Sequence, residues 1–483
     1  VAYLSKKMDE SLLPWYWRSL RLENRTGSTI FQFLFGNEYP IATLLESPFP
    51  TPKDQPQLSR YSICAGAPRY LQQKPQLWTP AIGKILPWIS DRLSHSSLPF
   101  AEVAHLPFTG GWLGWLGYDL AWEIERLPYL KTDSLPFPVA YWYEPDSFAI
   151  LDHQEQILWL AATNPRDLDR LQQKLESPPQ PLSPSPRSLE RSSQPLYPSP
   201  CFLTSQADYE DTVRQAKKYI KAGDIFQANL SLRFQTATNA DSWSIYRNLQ
   251  QINPSPFASY WRTPWGAVIS CSPERLIQLE GNIAQTRPIA GTRSRGTTAE
   301  LDRQLAEELI TNVKERAEHI MLVDLERNDL GRVCQWGSVE VDQLLVIERY
   351  SHVMHLVSNV KGQLKPDCDA VDLIRSMFPG GTITGCPKVR CLEIIEELEP
   401  TRRNLFYGSC GYLDRRGNLD LNILIRTLLH TNPSDFSTQS LVYGQVGAGI
   451  VADSDPETEW YESLHKAEAQ LAALRMTSPL PDF

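Results

Sequence analysis

Phe378-Pro-Gly-Gly-Thr-Ile-Thr-Gly-Cys-Pro-Lys388 runs straight into Val389-Arg-Cys-Leu-Glu-Ile-Ile-Glu-Glu-Leu398. Glycine and proline at five of the first eleven positions exclude regular structure there. The apolar residues that follow recur at helical spacing, which predicts a helix with Pro387 in its first turn. Working outward, Asp369–Met377 reads as a second helix, and Ala299–Val323 as one long, charged, periodic helix. Tyr209–Ala222 reads as an amphipathic helix closed by Gly223 as its C-cap. Trp265–Ser270 and Ser440–Gly444 read as strands between them. The fold class is α+β, with antiparallel β-sheets flanked by helices.

The other end of the chain is aromatic and strand-like. Thr29-Ile-Phe-Gln-Phe-Leu-Phe35 and Phe148–Asp152 are expected as antiparallel strands, with Leu158-Trp-Leu160 continuing the second across a turn. Gly110-Gly-Trp-Leu-Gly-Trp-Leu-Gly-Tyr118 mixes glycine with large rings, as suits a strand at a close backbone approach. Eight prolines and seven serines between 177 and 200 exclude helix and central strand. The expected organisation is an N-terminal region 1–175, a linker 176–203 and a C-terminal region 204–475.

Composition narrows the class. With Lys+Arg 47 against Asp+Glu 56, the net charge of −9 argues against a basic nucleic-acid binder. A hydrophobic content of 42% excludes a largely disordered chain. No run of about 20 apolar residues predicts a membrane span. The first ten residues lack the apolar core of a secretory signal, and the eight cysteines form no CxxC pair. A cytoplasmic protein with reduced thiols is expected.

Several residues could carry chemistry. Glu459 and Glu462, at i and i+3, share a helical face, and Glu318 lies on the long helix. Together they suit a hard cation such as Mg²⁺, or merely a solvated acidic surface. The 378–388 turn and Gly444-Gln-Val-Gly-Ala-Gly-Ile-Val451 could hold an anion on bare backbone amides, or be ordinary tight turns. Arg426 stands in an otherwise apolar run, so it needs either a structural carboxylate or a substrate carboxylate. His355 is an isolated imidazole in a similar run, either a satisfied core residue or a catalytic group. Glu274, after Ser272-Pro273, is either a general acid beside a cavity or half of a surface pair with an arginine.

Ser272-Pro-Glu-Arg-Leu276, Arg287-Pro-Ile-Ala-Gly-Thr-Arg-Ser-Arg-Gly296, Asp324-Leu-Glu-Arg-Asn-Asp-Leu-Gly-Arg-Val333, the 378–388 turn and Gly447-Ala-Gly-Ile-Val-Ala-Asp-Ser454 occur in one order. That series resembles the chorismate-utilising enzymes, component I of anthranilate synthase and of 4-amino-4-deoxychorismate synthase. The likeness is dense over about 205–475. It is thinner before that, through Leu44-Leu-Glu-Ser47, Arg60-Tyr-Ser62 and Gly117-Tyr-Asp119. It implies the family's two-part sandwich of antiparallel sheets and helices. It also implies Mg²⁺ on Glu318, Glu459 and Glu462, and chorismate carboxylate binding by Arg426 and the amides of Gly447, Ala448 and Gly449. Glu274 matches the acid that protonates the leaving hydroxyl, His355 a histidine of the site wall, and Lys466 a site lysine at the end of the metal helix.

Gln227 stands where water-adding relatives carry a lysine base, so the likeness points to ammonia as nucleophile. That ammonia would come from a separate class I glutamine amidotransferase, component II. Gly408-Ser-Cys-Gly-Tyr412 lacks the last glycine of a Gly-x-Cys-x-Gly nucleophile elbow. Aminodeoxychorismate synthases usually carry lysine where Pro288-Ile-Ala-Gly-Thr292 has Ala290, as anthranilate synthases do. Asn229, Gly380-Gly381 and Arg402-Arg-Asn404 resemble the aminodeoxychorismate type instead, which is the branch expected. Leu45, Glu46, Ser47 and Pro256 resemble the family's tryptophan pocket, or are ordinary packing between regions. The rival classes are an isochorismate-type synthase, which Gln227 opposes, and a non-catalytic tryptophan- or carbohydrate-binding protein.

Overall fold

The computed structural model describes residues 15–36, 39–48, 59–94, 101–176, 200–350, 353–433 and 438–477. Residues 177–199 of the expected linker, and residues 1–14, lie outside the described residues.

Two large antiparallel sheets dominate the described residues. In the first, five strands from the N-terminal region (Tyr16–Arg21, Ile157–Ala162, Ser147–Asp152, Tyr61–Ala65, Ala42–Glu46) continue into six from the C-terminal region. Those six are Phe257–Thr263, Gly266–Ser272, Thr427–Thr431, Ser440–Ile450, Gln227–Thr238 and Cys201–Phe202. The seam is a ladder pairing Ala258 with Glu46 and Trp261 with Thr43. In the second sheet, Ile289–Ser294, Val353–Gln363, Ile283–Arg287, Arg275–Glu280, Leu419–Asn422 and Ser409–Asp414 meet Gly111–Leu116, Ala140–Tyr143 and Leu77–Trp78. Its seam sets Gly411 opposite Gly114. Both regions therefore contribute to both sheets, and no helix of the described residues is long and apolar enough to cross a membrane.

Aromatic packing follows the seams. Trp115 meets Trp261 edge-on with ring centroids 6.0 Å apart, and Tyr141 meets Trp265 at 5.5 Å. Such contacts add about 0.5–1.5 kcal/mol each beyond the area they bury. The Gly110–Tyr118 segment needs its glycines: a Cβ on Gly114 would overlap the Tyr141 carbonyl oxygen.

Four expectations are corrected. Gly27–Phe35 is a helix, because Ile30, Phe31, Leu34 and Phe35 form one buried face and Thr26 caps the Thr29 amide. Burial of that face overrides the strand preference of its Ile and Phe residues. The long helix is two, Ala299–Thr311 and Val313–Val333, broken at Asn312, whose side chain caps the Glu315 amide at 3.0 Å. The Gly444–Ile450 run does not follow a strand but completes one, the Ser440–Ile450 strand. Pro387 caps the Lys388–Leu398 helix instead of lying in its first turn.

One substitution tests the seam and a second, on an exposed helix, is its control. Gly114→Ala is expected to destabilise the protein by about 2–4 kcal/mol. Gly331→Ala, on an exposed helical position with open space where its Cβ would stand, should stabilise it by about 0.5–1 kcal/mol. Urea unfolding midpoints measure both, and an unmoved midpoint for Gly114→Ala contradicts the close approach.

Candidate active site

A cleft with an empty volume of about 790 Å³ draws its walls from both sheets. Glu274, Thr292, His355, Arg426, Gly447 and Lys466 all line it, so most of the expected site converges. Ala290, Ala448, Gly449 and Gln227 are not lining residues of this cleft. Ala290 sits where the Ile289–Ser294 strand is irregular in its pairing with Val353–Gln363. Ala448 is fully buried, and Gln227 and Gly449 press against each other, the glutamine amide filling the space of a Cβ on Gly449.

Glu274 lies in the link between the Gly266–Ser272 and Arg275–Glu280 strands, 4% exposed. Burial pushes its carboxyl up to about 8, so it is protonated at neutral pH. The surface pair expected as an alternative does not form, because Arg275 binds Asp420 in a two-pronged bridge at 2.9 Å. The Ile289 amide donates to Glu274 Oε1 at 3.4 Å.

His355 shares a hydrogen bond between its Nδ1 and Thr292 Oγ1 at 2.9 Å. Burial, then the charge of Arg426, lowers its pKa to about 4, which makes it a neutral imidazole at the cleft wall. Arg426 is not inside a strand but on the turn before Thr427–Thr431, with φ +51°. Its Nη1 donates to the Lys466 carbonyl, and among the described residues it has no ion-pair partner. Lys466 Nζ donates to the Gly447 carbonyl at 3.0 Å and pairs with Glu462 at 2.8 Å. It lies within the Pro456–Thr477 helix, one turn beyond Glu462, and not at its end.

The three acidic residues do not form a ready-made cage, and no group of three or more metal-ligating side chains converges among the described residues. They do sense one another. Burial raises the Glu318 pKa against the pull of Lys314, and the charges of Glu462 and Glu459 add to the rise. Burial also raises Glu459, whose Oε2 is sealed without a partner, and Glu462 adds to it. Glu462 is opposed by burial but held below its ordinary value by Lys466. An orphaned oxygen beside mutually repelling carboxylates fits a cation that would draw them together.

The glycine turn contributes Thr382 and Ile383 to the cleft wall. The N-terminus of the following helix lies elsewhere, with Lys388 Nζ on Asp329 at 2.6 Å. Behind the turn, Glu326 is buried, and burial and then Asp329 push it up to about 7.

Arg403, read from sequence only as a family marker, is the group that holds this wall. Its Nη1 donates to the Ile383 carbonyl at 2.8 Å and its Nη2 to the Asn229 carbonyl at 2.7 Å. Nε and Nη2 also grip Glu399 at 3.0 and 2.6 Å, and the guanidinium lies between the rings of Tyr118 and Tyr407. Asn229, Ile383 and Tyr407 all line the cleft. In sequence it stands in the polar run Pro400-Thr-Arg-Arg-Asn404, which does not say what it binds.

Leu45, Glu46, Ser47 and Pro256 line one separate cavity of about 690 Å³, together with Phe257, Arg275 and Asp420. Glu46 is itself consumed by structure, accepting from Ser28 N at 2.6 Å, Ser28 Oγ at 2.5 Å and Tyr246 OH at 2.7 Å.

Known proteins resemble this chain in sequence and fold. The chain is 62% identical over 468 residues, 96% of its length, to an anthranilate synthase component I-like protein of Synechocystis sp., 92% of which is covered. It is 47% identical over 373 residues to aminodeoxychorismate synthase component 1 of Bacillus subtilis, covering 77% of this chain and 78% of that one. The crystal structure of anthranilate synthase component I from Streptococcus pneumoniae TIGR4 superposes with a TM-score of 0.71 at 29% identity. That match covers 86% of this chain and 92% of that one. The model of the chorismate binding enzyme family matches residues 59–472. The chain, with its acid, unpaired guanidinium and neutral histidine around one cleft, belongs to the chorismate binding enzyme family.

Proposed function

We propose that this enzyme aminates chorismate with ammonia, and that the product is 4-amino-4-deoxychorismate. The observation that carries the reading is the pairing, in one cleft, of a protonated Glu274 with an Arg426 that has no ion-pair partner among the described residues. Chorismate is a dianion that must lose its 4-hydroxyl. Arg426 takes one substrate carboxylate, and Lys466 adds positive charge beside it. Glu274 gives its proton to the hydroxyl, which leaves as water. The ammonia lone pair forms the new C–N bond, and the nitrogen then gives up one proton, which restores the acid form of Glu274, so chorismate and ammonia become amine and water. His355, neutral and hydrogen-bonded to Thr292, walls the cleft without adding charge. Mg²⁺, which Glu459 and Glu462 would hold with Glu318 nearby, supplies charge neutralisation at the other carboxylate.

The branch is supported by contact. Asn229, the Gly380–Thr384 turn and Arg403, which resemble the aminodeoxychorismate type, form one hydrogen-bonded unit at the cleft. Ala290, which resembles the anthranilate type, is not among the lining residues. The relatives' designation as component I or component 1 supports a separate glutaminase as the ammonia source. The Ser47 and Pro256 cavity, which sets Phe257 and Tyr412 beside an Arg275–Asp420 pair, supports tryptophan as a second ligand.

Incubation with chorismate, Mg²⁺ and ammonium, followed by mass spectrometry, tests the reaction. The expected product is an aminated chorismate that keeps its enolpyruvyl group, and a chelator should stop its formation. Anthranilate with pyruvate as the product would overturn the branch. At fixed free ammonia, activity should fall as pH rises through about 8, because the acid form of Glu274 is lost above its pKa. Glu274→Gln should lower kcat/KM by about 10²–10⁴ and abolish that alkaline limb. A limb that survives in the variant would assign the proton to another group.

A further inference from the structure

Glu326 is a buried acid that the reaction above does not use. It lies in the Val313–Val333 helix at 3% exposure, and its Oε2 is sealed from solvent without a hydrogen bond. Its Oε1 stands 3.3 Å from the point a Cβ on Gly381 would occupy, and the Gly381 amide and Thr286 side chain hydrogen-bond to its carboxyl. Glu274 meets the same two segments a few residues on. The Thr382 side chain hydrogen-bonds to the Glu274 carboxyl, and the Ile289 amide donates to its Oε1 at 3.4 Å. Two short links, Gly381–Thr382 and Thr286–Ile289, therefore join one buried acid to the other.

Two buried carboxyls within reach of each other's charge cannot ionise independently, because little water screens their repulsion. The two surroundings differ. Glu326 has a cation within reach, Lys388, whose Nζ pairs with Asp329 Oδ2 at 2.6 Å, and both of those charges act on it. The charge that acts on Glu274 is that of Glu326. Other charged groups on the packed elements are engaged elsewhere or exposed. Arg287 pairs with Glu348, Arg293 with Glu308 and Glu315, and Lys466 with Glu462, while Arg426 donates to the Lys466 carbonyl and Arg375 is exposed. Burial lifts both acids, Glu326 to about 7 and Glu274 to about 8. Glu326 thus loses its proton first, and its charge then adds to the rise of Glu274.

We propose that Glu326 is a positioning residue for the reactive proton: from behind the Gly381–Thr382 link, its carboxylate keeps Glu274 in the acid form. The upper pH limit of the reaction then belongs to a pair of carboxyls and not to Glu274 alone. The inference rests on the reading of Glu274 as the acid.

Infrared difference spectroscopy of the resting enzyme, following the C=O stretch of protonated carboxyls across neutral and alkaline pH, tests it. Glu274→Gln and Glu326→Gln each remove one band, which assigns both. In Glu326→Gln the Glu274 band should titrate about half a unit or more lower, and the alkaline limb of kcat/KM should move down with it. In Glu274→Gln the Glu326 band should stay within about 0.3 unit, because Glu326 ionises while its neighbour is still neutral. At about pH 6, where Glu274 is protonated in either protein, kcat of Glu326→Gln should lie within about threefold of wild type, which a loss of structure would not allow. Glu326→Asp, which keeps the charge, should return the limb to within about 0.3 unit. Should Glu326→Gln fail to fold by thermal melting, Glu326→Leu, apolar and suited to a buried place, should show the same downward shift. A Glu274 band and an alkaline limb that stay within about 0.2 unit of wild type in the folded variant overturn the proposal. An alkaline limb that survives in Glu274→Gln overturns the reading of Glu274 as the acid instead.

Discussion

One buried guanidinium holds the structure together at its functional centre. Arg403 is 1% exposed, and burial opposes its charge, yet Glu399 and the flanking tyrosines hold its pKa above the ordinary value. A buried ion pair by itself is weak evidence of stability, because desolvation offsets its attraction. Here the remaining donors are spent on the Ile383 and Asn229 carbonyls, and Glu399 Oε1 also accepts from Ser231 N and Oγ, both at 2.7 Å. Tyr118 comes from the N-terminal region and Tyr407 from the C-terminal one. The neighbouring Arg402–Asp119 pair, at 3.0 Å, ties the same two regions. A network built on Arg403, whose Nε, Nη1 and Nη2 all find acceptors, therefore sets the spacing of the strand, the glycine turn and the aromatic layer that together bound the cleft.

That arrangement explains how an acidic protein suits a dianionic substrate. The overall charge of −9 is spread over the whole chain. Within the cleft, the carboxyl of Glu274 is neutral, the imidazole of His355 is neutral, and Arg426 and Lys466 are cationic. Local charge acts over a few ångströms in a low-dielectric cleft, whereas distant surface charge is screened by salt. Lys466 joins the two halves of the site, since its ammonium touches both Glu462 and the Gly447 carbonyl.

Much of this was legible in the sequence because it depended on local rules. The Gly223 C-cap, with φ +84°, appears as residue type predicts. The glycine-spaced Gly110–Tyr118 strand and the convergence of Glu274, His355, Arg426 and Lys466 also followed from motifs. What was not legible depended on partners remote in sequence. Thr29–Phe35 has strand-forming residues, and only the surface it covers, against the Ala42–Glu46 and Tyr61–Ala65 strands, makes it a helix. Asn312 ends one helix and starts another through a side-chain cap that competes with continuing the helix. Arg403 and Asn229 lie 174 residues apart, and nothing in either segment announces their bond.

That Arg403 organises the cleft through Glu399 is tested most directly by a double-mutant cycle. Arg403→Met and Glu399→Leu would be measured singly and together by urea unfolding, with the chorismate KM read on each folded variant. Each single change leaves the other charge buried and alone, at a cost of about 3–5 kcal/mol. The double variant should cost less than the sum by about 2 kcal/mol or more, with chorismate KM raised in all three. Additive costs, within about 0.5 kcal/mol, and an unchanged chorismate KM would contradict a clamp that shapes the site.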